Sequence, residues 1–155
     1  TPGQLASLRA ELTVLAAAGI LGTMIAAAVP ETLLADLLRS LGLHGAPVAV
    51  AVALLMLVFA QLGLNPIVTA TIALTSLSQP EVFGLEPKLL ALAVMTGWML
   101  AVGSSPMTTS VLITARVAEA SPYTVGYRWN GWFTLGTAAL ASVWLLVLGW
   151  LIGPS

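Results

Sequence analysis

The chain contains no cysteine, so disulfides, thiolate metal sites and cysteine nucleophiles are all excluded. Histidine is nearly as scarce. His44 is the only one, beside Gly45 in a polar gap, and a lone loop histidine reads as solvated rather than as a metal ligand. Charge is the third scarcity: five basic and six acidic residues make up 7% of 155 positions, against about 25% in an ordinary soluble domain. So few charges cannot cover a water-facing surface, and lipid must be the solvent for much of it. No basic stripe exists to neutralise phosphates and the formal net charge is -1, which argues against a nucleic-acid partner. No basic n-region precedes a short apolar core, so a signal peptide is not expected. The opening Thr1-Pro2-Gly3, without a methionine, suggests a segment of a longer protein.

What is present is apolar sequence: 59% of residues are hydrophobic, the mean hydropathy is +1.02, and the charges are gathered between long uncharged stretches. A bilayer core needs about 20 apolar residues in a helix. The uncharged run over 12–29, closed by Pro30, predicts a first spanning helix. Over 31–42, Leu33, Leu34, Leu37, Leu38 and Leu41 recur at helical spacing while Glu31, Arg39 and Ser40 fall elsewhere on the wheel. That pattern predicts a short amphipathic helix in the membrane interface, the alternative being a loop helix packed on the bundle.

The stretch 46–78 is apolar but broken at Gly63-Leu64-Asn65-Pro66. As one straight helix it would be roughly 50 Å long, too long to span, so a helical hairpin with its tip at 63–66 is expected. After a Pro- and Gly-containing loop, 88–118 predicts a crossing helix with an unwound middle at Gly103-Ser104-Ser105-Pro106. A polar stretch leads to a final spanning helix over 131–152, with Trp129 and Trp132 at one end and Trp150 at the other as an interfacial aromatic belt. The expected fold is therefore an all-α integral membrane bundle, a single domain over 1–155, with a re-entrant hairpin and a discontinuous transmembrane helix.

The two breaks share one grammar. Each reads as a helix C-terminus, a small-residue turn, then a capping residue and a proline: Asn65-Pro66 and Ser105-Pro106. Interrupted helices persist in a membrane only where they are buried in protein or line a cavity. Half-helix N-termini would offer free N–H groups to an anion, and the preceding carbonyl ends could coordinate a cation; secondary transporters build substrate and ion sites in this way. The competing reading is two Pro/Gly kinks that aid packing, with Thr and Ser bonded back to carbonyls.

The order of elements resembles the C-terminal repeat of the ion transporter superfamily, in particular the divalent anion:sodium symporters. Leu64-Asn65-Pro66 with Thr69-Ala70-Thr71 lies where that family has a Ser-Asn-Thr signature, and Gly103-Ser104-Ser105-Pro106-Met107 where it has a Gly-Thr-Pro-Pro-Asn-like one. Asn65, Gly103, Ser104 and Pro106 match; Leu64, Pro66 and Met107 depart, so a dicarboxylate is not carried over. The resemblance implies one repeat of a secondary transporter, completed by a second inverted repeat or a homo-oligomer partner, in a bacterial inner (plasma) membrane.

The expected substrate is a small anionic solute, bound by Asn65, Pro66, Thr69, Ser104, Ser105 and Thr108. Ion binding is expected at Gly63, Asn65, Gly103 and Ser104, partly through backbone groups. No carboxylate or histidine falls inside an expected membrane segment, so sodium coupling is preferred over a proton relay, and no other cofactor is expected. The topology puts Arg9, Arg116 and Arg128 on one face against Arg39 and Lys88 on the other, a feeble positive-inside signal. Two alternatives stand beside this reading: a channel, since Asn-Pro at a half-helix also resembles the Asn-Pro-Ala turns of aquaporins, and a non-transporting membrane subunit. No Ser/His or paired-Asp constellation lies in the apolar segments, so an enzyme is not expected.

Overall fold

In lipid a backbone is satisfied only within helices or a closed barrel, and every regular element among the described residues is helical. The computed structural model describes residues 32–152, together with positions 20, 24, 27, 28 and 30. The spanning helix expected over 12–29 therefore lies almost wholly outside the described residues; its four described positions are helical.

Helix α1, Leu33–Ser40, buries Leu34, Ala35 and Leu38 and leaves Leu33, Leu37 and Leu41 exposed. The apolar stripe is thus split, one edge against the bundle and the other open. Helix α2, Ala46–Gln61, buries Val48, Ala49, Val52, Ala53, Met56 and Ala60, a three-four spacing that turns one face to the core. Helix α3, Pro66–Ser76, follows after a four-residue connection. The chain then forms a 3₁₀ turn at Pro80–Phe83, where the Phe83 carbonyl accepts the Gly45 N–H at 2.7 Å. The path through α2 and α3 therefore leaves from Gly45 and comes back beside it.

Helix α4, Pro87–Ser104, lies along α2 in the most extensive helix pairing of the described structure. A Cβ at Gly97 would stand 2.8 Å from the Met56 Cβ, so the two backbones approach as closely as a glycine permits. Helix α5, Thr109–Val117, continues after four residues, and Pro87–Val117 together is 31 residues of apolar span. A π-helical turn at Thr124–Trp129 lies within the polar stretch before α6, Gly131–Ile152.

Helix α6 is 22 residues, about 33 Å of helix. Only 11% of its most apolar stretch is buried, with Trp132 and Trp150 more than four-fifths exposed at its two ends. Pro87–Val117 and Gly131–Ile152 are two helices long and apolar enough to cross a membrane. The core joins α1, α2, α3 and α4 through Leu38, Val52, Met56, Leu77, Leu89 and Ala93, with Leu145 of α6 buried in it and Leu148 packed against it.

Candidate functional site

The first break is a closed turn. Helix α2 ends in a Schellman motif, in which the Leu64 N–H bonds the Phe59 carbonyl at 3.0 Å and the Gly63 N–H bonds that of Ala60 at 3.1 Å. Gly63 takes φ +89, which a side chain would oppose. Asn65 is extended and its Oδ1 accepts the Ile67 N–H at 2.9 Å. Pro66 has no N–H to satisfy, and the Asn65 carbonyl accepts the N–H groups of Val68 and Thr69. The start of α3 is thereby fully capped.

The second break begins in the same way and then departs. Ser105 has nearly the backbone of Asn65, with φ/ψ of -74/127 against -66/133. Its Oγ accepts the Met107 N–H at 3.2 Å, the same two-residue reach as Asn65 to Ile67. No helix follows at once: Thr108 is extended, and α5 starts at Thr109 without a side-chain cap. The Thr108 hydroxyl turns back to the carbonyls of Ser105 at 2.7 Å and Val102 at 3.0 Å. The N–H groups of Thr109, Ser110 and Val111 make no hydrogen bond among the described residues.

The interruption thus occupies 105–108, two residues later than the expected 103–106. Proline disfavours the helical conformation of the residue before it, so the helix holds through Ser104 and yields at Ser105. The Ser104 hydroxyl bonds the Leu100 carbonyl at 2.7 Å, as a residue still in the helix does. Ser105 is expected from sequence to cap the next helix, but the N-cap position is Thr108, whose hydroxyl caps nothing.

The two breaks are neighbours. The Ser105 hydroxyl, fully buried, donates to the Ala60 carbonyl at 2.6 Å, and the Gln61 Nε2 donates to the Ser104 Oγ at 3.0 Å. A Cβ on Gly63 would lie 3.8 Å from the Met107 Cγ. Of the expected site residues, Gly63, Ser104 and Ser105 share this junction, and Thr108 bonds only carbonyls of the second break. Gly103 offers its carbonyl to the Asn130 Nδ2. Asn65 makes no hydrogen bond to the second break among the described residues. Buried Thr69 bonds the Pro66 carbonyl at 3.1 Å and lines a separate apolar cavity of about 170 Å³ with α1 residues Leu33, Leu34 and Leu37.

No protein-family model, curated protein or solved structure matches this chain. The resemblance to the ion transporter superfamily rests on the residue pattern and the order of elements alone.

Three residues not singled out from sequence shape this junction. Gly126, in the π-helical turn, packs so closely that a Cβ there would stand 2.6 Å from the Ser104 carbonyl oxygen. Asn130 holds the Gly103 carbonyl. Gln61 is the third: its Oε1 is buried without a partner, a condition that costs about 1–3 kcal/mol. An amide alone in an otherwise apolar helix, at its last residue, is the available signal for Gln61; Asn130 and Gly126 lie in a polar stretch that offers none.

Proposed function

We propose that this chain is a membrane-embedded segment, one repeat, of a secondary active transporter that moves a small anionic solute with sodium. The observation that carries the reading is the Ser105–Ala60 hydrogen bond, which joins two helix interruptions into one polar junction between apolar helices. On this reading α2 and α3 form a re-entrant hairpin, and α4 and α5 are halves of one discontinuous crossing helix. The membrane setting is supported by the two long apolar helices and by the exposed tryptophans about 27 Å apart along α6. The solute's negative charge would find the unpaired N–H groups of Thr109, Ser110 and Val111, where a helix N-terminus favours an anion. The capped start of α3 would take no part, so Asn65 and Pro66 act as the hinge of the tip rather than as ligands.

A non-transporting membrane subunit is the second reading, and one observation favours it. The hydroxyls of Thr69, Ser104, Ser105 and Thr108 all donate to backbone carbonyls, as packed kinks in a bundle require.

Single-cysteine accessibility scanning across 60–80 and 100–112 separates the two, because the chain has no native cysteine to interfere. Transport predicts labelling of the junction by a small aqueous thiol reagent in membrane vesicles, with a pattern that changes when sodium replaces choline. Uniform protection at both breaks in both salts would leave the subunit reading.

A further inference from the structure

Gln61 is the last residue of α2 and Ser104 the last of α4, and their side chains meet at 3.0 Å. Two helix C-termini therefore converge at this contact, each the negative end of its helix dipole, although the last-turn carbonyls of Phe59, Ala60, Ala101, Val102 and Gly103 already accept hydrogen bonds. Neither helix has a basic residue in its last turn to balance that charge.

The carboxamide of Gln61 is held in one orientation. Its Nε2 donates to the Leu57 carbonyl at 3.2 Å and to the Ser104 Oγ at 3.0 Å. The carbonyl can only accept, and the Ser104 hydroxyl has already given its proton to Leu100 at 2.7 Å, so it too accepts. Turning the amide over would set Oε1 against two acceptors. The buried, unpartnered atom is thus a carbonyl oxygen, and no nearby hydroxyl can serve it. The Ser105 proton goes to Ala60 and the Thr108 proton to Ser105 and Val102. The side chains here present lone pairs to whatever binds.

Neutral oxygens at two negative helix ends fit a cation of single charge. A divalent ion would call for carboxylates, and no group of three or more acidic or histidine side chains able to hold a metal occurs among the described residues. We propose that the Gln61 Oε1 is a ligand for a small monovalent cation, bound where α2 and α4 end. The proposal deepens the transport reading, on which it rests for its purpose: it gives the coupled ion a residue outside the expected set of Gly63, Asn65, Gly103 and Ser104.

The test is thermal unfolding of the purified full chain in detergent, in sodium chloride against choline chloride at equal ionic strength. The expected result is a saturable upward shift of Tm in sodium that Gln61→Leu abolishes. Leucine keeps the bulk but removes both the unpartnered oxygen and the Nε2 bonds to Leu57 and Ser104, so the readout is the sodium shift within this variant rather than its stability against the parent. Should it not fold, Gln61→Asn decides, since withdrawing the oxygen by one methylene should raise the half-saturating sodium concentration. A parent protein with the same Tm in both salts overturns the proposal. So does a full sodium shift in Gln61→Leu, or an unchanged half-saturation in Gln61→Asn. A sodium shift with both breaks closed to aqueous thiol reagents would keep the Gln61 site and remove the transport reading; open breaks without a sodium shift would do the reverse.

Discussion

The two helix interruptions start from almost the same residue grammar and end as different objects. At the first, the Asn65 side chain and carbonyl satisfy the opening N–H groups of α3, and Gly63 lets α2 finish in a Schellman motif. The backbone and cap bonds that close this turn all lie between Phe59 and Thr69. At the second, Ser105 makes the same local bond but also reaches 45 positions away to Ala60, and α5 starts without a side-chain cap. Gly126 and Asn130 complete the second break from the far side. A proline and a polar cap therefore specify that a helix stops; partners distant in sequence decide whether the stop is closed locally or held by tertiary contacts.

If that contrast holds, substitutions at the second break should cost more than those at the first. The largest effect is expected for Gly126→Ala, whose Cβ would meet the Ser104 carbonyl oxygen at 2.6 Å and the Pro106 Cγ at 3.3 Å. Neither backbone nor proline ring can swing aside as a flexible side chain would, so a loss of about 3 kcal/mol is expected from overpacking. Denaturant unfolding of the detergent-solubilised protein would read it, and a parental midpoint would show that the π-helical turn does not press on the break.

Ser105→Ala comes next. It removes the bonds to the Ala60 carbonyl and from the Met107 N–H, at about 2 kcal/mol. The same variant should raise labelling of a cysteine placed at Met107 as the junction loosens; equal labelling with and without the serine would argue that the bond holds nothing together.

Asn65→Ala is expected to be the mildest, about 1 kcal/mol for a lost N-cap, recovered largely by Asn65→Ser or Asn65→Asp. Its effect should stay local. An Asn65→Ala protein as destabilised as Ser105→Ala, or with altered accessibility at Met107, would erase the distinction between the two breaks.

The part of this structure legible in sequence is the part that local rules govern. Pro66 after Asn65, and the uncharged run from Gly131, place the starts of α3 and α6, because a missing N–H and a capping oxygen act within one turn. The second break is shifted by two residues because Gly103 suggests a weak point that the helical hydrogen bonds overrule until Pro106 forces the issue. Thr69 carries a hydroxyl and so suggests a ligand, yet its proton is used within its own first turn and its side chain lines an apolar cavity. The π-helical turn at Thr124–Trp129 lies in a stretch whose polarity alone carries no helical pattern. Gln61 is lost in a window dominated by alanine, leucine and valine, where one amide hardly changes the average hydropathy. What singles it out is a neighbour 43 positions away, and no local pattern carries that.

The central claim, that two interruptions form one junction, is tested most directly by oxidative cross-linking of the Gly63→Cys/Met107→Cys double variant. Both positions are exposed, and the Gly63 Cβ direction passes 3.8 Å from the Met107 side chain. Rapid formation of an intramolecular disulfide under mild oxidant, in a chain with no other cysteine, is the expected result. Two thiols that each label freely from water yet fail to cross-link would contradict it, and would leave the breaks as separate kinks.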